Sequence, residues 1–211
     1  LEFGKGYSLK EVSAPYGYIL SHEAVKFDVT EENSTEEGGV TIVAVKLGNY
    51  AQKGIIKISK TGEVFASVAA TDGVYQPVYA VQGLAGATYE IKATEDIYTP
   101  DGTLRCSAGE VVDTVTTGAD GTAESKPLYL GKYEITEMKA PDGMVVSKDA
   151  HTAELVYAGQ EIEITETAAS FCNDRQKARI SLSKVLEQNK QFGIGMNNEL
   201  SAVTFGFYAA E

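Results

Sequence analysis

The sequence predicts an all-β fold built from tandem sandwich domains, and three observations carry that expectation. Short segments at 40–47, 54–60, 87–92, 111–117, 132–138, 153–157 and 161–165 are rich in Val, Ile, Thr and Tyr and alternate with period two. Asp-Gly pairs at Asp72-Gly73, Asp101-Gly102, Asp120-Gly121 and Asp142-Gly143 fall between them, as tight turns require. No window carries a helical apolar stripe long enough to bury a helix face.

The segments recur. Gly6-Tyr-Ser-Leu-Lys-Glu-Val-Ser-Ala-Pro-Tyr-Gly-Tyr18 returns as Gly131-Lys-Tyr-Glu-Ile-Thr-Glu-Met-Lys-Ala-Pro-Asp-Gly-Met144, the Ala-Pro pairs lying 126 residues apart at 14 and 140. The stretch from Asn49 to Lys60 reappears from Asn173 to Lys184, 124 residues on. Leu84-Ala-Gly-Ala-Thr-Tyr-Glu-Ile91 is echoed by Leu200-Ser-Ala-Val-Thr-Phe-Gly-Phe207. A period of this length is a domain rather than a short solenoid unit. The expected organisation is the C-terminal part of one domain at 1–50, a complete domain at 51–175, and the N-terminal part of a third at 176–211. The stretch 61–83 exceeds its counterpart in the third copy and is expected to form an extra hairpin at a sheet edge.

Composition removes several function classes. With 18 Lys and Arg against 30 Asp and Glu the net charge is −12, which disfavours nucleic acid and anionic membrane surfaces. Apolar runs fall far short of the roughly 18 residues of a membrane span, and no export signal opens the sequence. Two His, two Cys and no Trp leave little for metal or thiol chemistry. His22 and His151 are not equivalent in the repeat, acidic stretches such as Glu31-Glu32 lack calcium-loop spacing, and no metal or cofactor is expected. Asn33-Ser34-Thr35 fits a glycosylation acceptor only as a pattern. Cys106 and Cys172 are left open between a disulfide and two free thiols, with Cys172 facing out of the core.

Strand phase isolates the chemistry. Lys60 shares the core-facing phase of Ile56 and Ile58, and Lys184 that of Ile180 and Leu182. Glu137 shares the face of Tyr133 and Ile135, as Glu11 shares that of Tyr7 and Leu9. Asn173 shares the phase of Phe171, and Asn49 that of Val43, Val45 and Leu47. Each unit thus aims a Lys, a Glu or an Asn at its core. Burying such groups singly costs several kcal/mol, and a low dielectric favours the neutral amine and the neutral acid. An amine, a carboxamide and a proton-carrying acid are the ingredients of an intramolecular amide with loss of ammonia. An unreacted, hydrogen-bonded cluster is the alternative.

These same residues resemble SpaA-type (Cna B-type) domains of Gram-positive pilins and surface adhesins. The likeness rests on Ile-Lys-Ile-Ser-Lys60, Leu84-Ala-Gly-Ala-Thr-Tyr-Glu-Ile, Gly-Lys-Tyr-Glu-Ile-Thr-Glu137-Met-Lys-Ala-Pro-Asp-Gly and Phe-Cys-Asn173. The resemblance implies a transthyretin-like (prealbumin-like), immunoglobulin-like β-sandwich with a spontaneous isopeptide bond. Lys60 would supply the amine, Asn173 the carboxamide carbon and Glu137 the proton shuttle. Glu11 and Asn49 match the acid and acceptor of a preceding domain, and Lys184 the nucleophile of a following one. Met144 stands where the family's element closes with an aromatic, as Tyr18 does. The implied role is a stalk segment of an extracellular, wall-anchored protein or pilin. Its partners would be neighbouring repeats, sortase machinery and a host surface ligand, and its chemistry would run once, without turnover. The rival expectation is an adhesin module for a host matrix protein or glycan, with Tyr75 and Tyr79 beside Val74, Pro77 and Val78 as the candidate face.

Overall fold

The computed structural model describes residues 1–193, 195 and 203–206. Two compact units divide the chain, Leu1–Gln176 and Lys177–Glu211. The echo of the 84–91 motif at 200–207 lies largely outside the described residues, only Val203–Gly206 being described.

Within the first unit the strands run in chain order. β1 (Gly4–Leu9) pairs antiparallel with β2 (Val25–Val29), and β3 (Thr35–Glu37) with β4 (Val40–Ile42). The expected strand at 40–47 is therefore only three residues long. β5 (Lys53–Thr71) is the longest strand and turns at Asp72-Gly73 into β6 (Val74–Gly83). The expected extra hairpin at 61–83 is this extension of β5. β7 (Thr88–Ala93), β8 (Ile97–Tyr98), β9 (Leu104–Cys106), β10 (Val111–Thr116), β11 (Thr122–Glu124), β12 (Leu128–Tyr129), β13 (Gly131–Lys139), β14 (His151–Leu155) and β15 (Ile164–Asn173) follow.

Two sheets face each other across the core. One has the order β10-β7-β13-β14; in the other β5 is flanked by β11 and β12 and pairs in parallel with β15. Alternation is sharpest on β5, where every second residue from Gly54 to Gly62 is buried. The buried faces meet in one cluster that includes Ile56, Ile58, Tyr89, Ile91, Tyr133 and Ile135. Every residue of this cluster falls between Ile56 and Phe171, inside the first compact unit. The sheet is stitched outside as well, by Lys57 to Glu166 at 2.7 Å and Ser59 to Ser170 at 2.8 Å.

The last strand is longer than its sequence suggests. Alternation alone places a strand at 161–165, whereas β15 runs to Asn173. Its middle reads Thr-Ala-Ala-Ser, small residues with little apolar contrast, and beyond them Phe171 marks the buried phase. Parallel pairing with β5 over ten residues holds it in place. Met144 fills its site despite lacking an aromatic ring, packing with Leu84 and Ala140 in a second small cluster.

In the second unit, the described residues contain a turn at Asn189–Gly193. The backbone N–H groups of Gln191 and Phe192 donate to Asn189 Oδ1 at 3.1 and 3.3 Å. Lys184 is exposed and lies in no strand.

Candidate functional site

Three strands bring Lys60, Glu137 and Asn173 together inside the sandwich. Lys60 lies on β5 and Asn173 on the adjacent parallel β15, where Phe171 is level with Lys60 and Asn173 with Gly62. Glu137 descends from β13 on the facing sheet. All three are buried, the side chains of Lys60 and Glu137 having no exposed surface at all. The phase argument explains why: each occupies the inward position of a strand whose other inward positions are apolar.

The backbone around Lys60 is fixed on both sides. Its N–H donates to Gly121 O at 2.7 Å, and its carbonyl accepts from Leu84 N–H at 3.0 Å. This crossing needs glycine at 121, where φ is +79° and a Cβ would stand 2.4 Å from Lys60 O.

The carboxylate sits between amine and amide. Lys60 Nζ is 3.4 Å from Glu137 Oε1, while Asn173 Nδ2 donates to Glu137 Oε2 at 2.7 Å. Nδ2 also donates to Val145 O at 2.6 Å, so both amide protons are held. Ser147 N–H donates to Oε2 at 2.7 Å, and Tyr89 OH donates to Oε1 at 3.4 Å. Among the described residues, two buried side-chain polar atoms are left without a hydrogen bond, Lys60 Nζ and Asn173 Oδ1. At 3.4 Å the amine is in ion-pair range of Glu137 but outside good hydrogen-bond geometry. The unsatisfied atoms are the nucleophile and the carbonyl oxygen of the group it would attack.

Burial pushes the Lys60 amine below its ordinary value, and the adjacent Glu137 carboxylate only partly opposes this. Burial likewise raises the Tyr89 phenol, with Glu137 adding to the effect, so Tyr89 stays protonated and can act only as a donor to the carboxylate. Sequence phase did not single out Tyr89, Ser147 or Val145. Tyr89 could have been found, since it occupies an inward phase with a polar tip; the other two act through backbone atoms and leave no side-chain signal.

The first copy repeats the frame without the amine. Asn49 Nδ2 donates to both Glu11 oxygens, at 2.8 and 2.7 Å, and to Ile19 O at 3.1 Å, and Ser21 N–H donates to Glu11 Oε2 at 2.9 Å. Glu11, Ile19 and Ser21 each stand 126 residues before Glu137, Val145 and Ser147. Glu11 and Asn49 are only half-buried. Among the described residues no lysine is paired with Glu11. Lys184 is likewise brought to no carboxylate among them.

The remaining sequence candidates are less organised. Cys106 is half-buried and Cys172 exposed; both thiols are free, and burial raises the Cys106 thiol. Among the described residues no group of three or more His, Cys, Asp or Glu is arranged to hold a metal ion, and no helix is long and apolar enough to cross a membrane.

Residues 79–168 match the model of the SpaA prealbumin-like fold domain. Among solved structures, the Bacillus anthracis TIE protein is 24% identical with a TM-score of 0.42, over 81% of this chain and 25% of that one. GBS52, the minor pilin of Streptococcus agalactiae, is 15% identical with a TM-score of 0.38, over 76% and 61%. The major pilin SpaD of Corynebacterium diphtheriae is 21% identical with a TM-score of 0.38, over 59% and 30%. The chain thus spans from a quarter to about three-fifths of the length of these proteins. No curated protein matches the sequence. Tyr89 and Glu137 lie inside the matched span and Lys60 and Asn173 flank it, and this part of the chain has an all-β, prealbumin-like fold similar to that of SpaA-type domains.

Proposed function

We propose that the chain is a structural segment of a bacterial surface protein or pilus, stiffened by an autocatalytic isopeptide bond between Lys60 and Asn173. The observation that carries this reading is the buried constellation itself: an unsatisfied amine and an unsatisfied carbonyl oxygen on neighbouring strands, bridged by one carboxylate.

The chemistry follows from which oxygen touches what. Glu137 Oε1 accepts a proton from Lys60, a transfer that burial of the amine favours. The neutral Nζ attacks Cγ of Asn173 and the new C–N bond forms. The amide nitrogen Nδ2, already hydrogen-bonded to Oε2, is protonated from there, and the Cγ–Nδ2 bond breaks. Nζ loses two protons in all, and these leave with Nδ2 as ammonium. Glu137 ends in its starting state and no cofactor is consumed. Each molecule reacts once, which is crosslinking rather than enzymatic turnover.

The bond would close a loop of about 110 residues. In the chain-entropy treatment of crosslinks this stabilises by about 4–5 kcal/mol. Lys60 and Asn173 lie on parallel strands, one near the entry and one at the exit of the domain. Tension along the chain would then run through a covalent link instead of through the sheet hydrogen bonds. Sortase-dependent assembly and wall anchoring belong to this reading as its biological setting, as do the partner triads of Glu11, Asn49 and Lys184 in neighbouring repeats.

The experiment is the intact mass of the denatured chain beside its Lys60→Ala and Glu137→Ala variants. A wild type lighter by one ammonia, with both variants at their encoded masses, supports the bond and the shuttle. A wild type at its encoded mass refutes them.

A second reading has its own observation. Past Gly62 the β5–β6 hairpin exposes Phe65, Val68, Tyr75, Val78 and Val81, and Tyr79 stacks under the Arg175 guanidinium at 3.8 Å. Exposed aromatics gathered on one hairpin suit a ligand-binding face. An adhesin role predicts saturable binding to a matrix protein or glycan that Tyr75→Ala with Tyr79→Ala removes; no such binding leaves the stalk role alone.

A further inference from the structure

The chain that links the first Glu-Asn pair to the central domain is built as a latch. Gln52 is 1% exposed, and every polar atom of its side chain is used. Oε1 accepts from Ala158 N–H at 2.9 Å; Nε2 donates to Gly159 O at 2.9 Å and also to Ile162 O. The same loop is gripped from the other side, Leu20 N–H donating to Gln160 O at 2.9 Å and Ala14 N–H to Gln160 Oε1 at 2.8 Å. Tyr16 packs on Tyr157 with ring centres 4.6 Å apart. Gly17 lies so close to Pro100 that a Cβ there would stand 2.6 Å from its ring.

The latch face is duplicated, and the second copy is open. Ile19 N–H donates to Tyr50 O, and Gln52 N–H to Gly17 O, both at 2.9 Å; Val145 N–H donates to Asp174 O at 2.8 Å, and Gln176 N–H to Gly143 O at 2.9 Å. The bridge Tyr18–Ala51 returns as Met144–Arg175. The backbone pattern therefore repeats, with a glycine (Gly17, Gly143) and a glutamine (Gln52, Gln176) at the same places in both copies. Coverage differs. Leu20 is 9% exposed under the 158–162 loop, whereas its counterpart Val146 is 43% exposed. Gln176 is exposed, and its side chain makes no hydrogen bond among the described residues.

We infer that Val145, Val146 and Gln176 form a docking face for a loop of the chemistry of Tyr157–Ile162, carried by a following repeat. The amide of Gln176 would read that loop's backbone as Gln52 reads Ala158, Gly159 and Ile162. This assigns the repeated glutamine a role in setting a fixed joint between domains. The inference rests on the tandem-repeat organisation and not on the isopeptide bond. Because the repeats are covalently joined, the contact needs an affinity of only about the millimolar effective concentration of a short linker.

A synthetic peptide of the sequence Tyr157–Ile162 carries the backbone groups that Gln52 reads, which makes it a suitable probe. It is titrated, unlabelled, into the isotope-labelled 211-residue chain, and amide shifts are followed. Saturable shifts at Val145, Val146 and Gln176, with affinity about tenfold weaker for Gln176→Ala, are expected. A doubly altered probe, Gly159→Pro with Gln160→Ala, should lose the shifts as well. No shift up to millimolar probe, shifts elsewhere, or binding unchanged by Gln176→Ala would overturn the inference. Each outcome is independent of whether the chain has lost ammonia.

Discussion

The two Glu-Asn pairs of this chain share a backbone frame and differ in what else reaches the carboxylate. At 137 and 173 it touches the carboxamide, a buried lysine and the Tyr89 hydroxyl; at 11 and 49 the contacts to the carboxamide, the serine N–H and the backbone carbonyl return, and among the described residues neither a lysine nor a tyrosine pairs with Glu11. The frame is therefore set by the segment after the Ala-Pro-x-Gly loop, which supplies Ile19 O and Ser21 N–H in one copy and Val145 O and Ser147 N–H in the other, independently of the amine. What the amine adds is burial. Glu137 and Asn173 lie under two sheets, whereas Glu11 and Asn49 remain half-open. Inside the sandwich, burial lowers the Lys60 amine below its ordinary value.

The largest effect should come from removing the acid. Glu137→Ala is expected to abolish ammonia loss and to leave a buried amine without its counter-charge, which costs about 3–5 kcal/mol on top of the lost crosslink. Chemical denaturation of wild type and variant measures the sum, and a difference under about 2 kcal/mol would mean that neither contribution operates. In the first copy, Glu11→Ala should leave the loss of one ammonia unchanged.

A smaller, kinetic effect is expected at Tyr89. Its hydroxyl donates to Oε1, the oxygen that must receive the lysine proton. Tyr89→Phe keeps the ring packing on Phe171 and should change stability by only about 1 kcal/mol. Time-resolved mass of freshly synthesised chain should nonetheless show an altered rate and pH profile of ammonia loss. An unchanged rate and profile would remove Tyr89 from the proton path.

The pH response has a definite sign. In Asn173→Ala, which cannot crosslink, Lys60 keeps an amine whose folded value lies below the ordinary 10.5. Between those two values the unfolded chain binds more protons than the folded one, so stability rises with pH and levels off near 10.5. Below the folded value both states are protonated, and the burial penalty is present in full. Melting temperatures that fall across that window would contradict the assignment.

The smallest expected effect is at the joint. Gln52→Ala should speed hydrogen exchange at Ala158 about tenfold or more while leaving Ile91 and Ile135, in the centre of the sandwich, unchanged.

Much of this was readable from strand phase, because a polar residue among inward-facing isoleucines can only be buried if the strand is. Lys60, Glu137 and Asn173 are the cases in point. The same reasoning placed Leu47 and Asn49 in one strand, whereas Asn49 lies in no strand and its pair with Glu11 is held by loop contacts. Phase also failed for most of β15, whose small residues give no contrast, and it could not reveal Ser147 or Val145, which serve through backbone atoms. Gln52 was hidden for a different reason: a glutamine at a strand entry looks solvated until the loop that satisfies it is brought from more than 100 residues away.

Peptide mapping of the digested chain tests the central contrast most directly. A branched peptide joining Lys60 to Asn173, with Asn49 recovered unmodified, is the predicted result. Absence of that branch, or a lysine found on Asn49, would contradict the claim that burial inside the sandwich activates one pair and not the other.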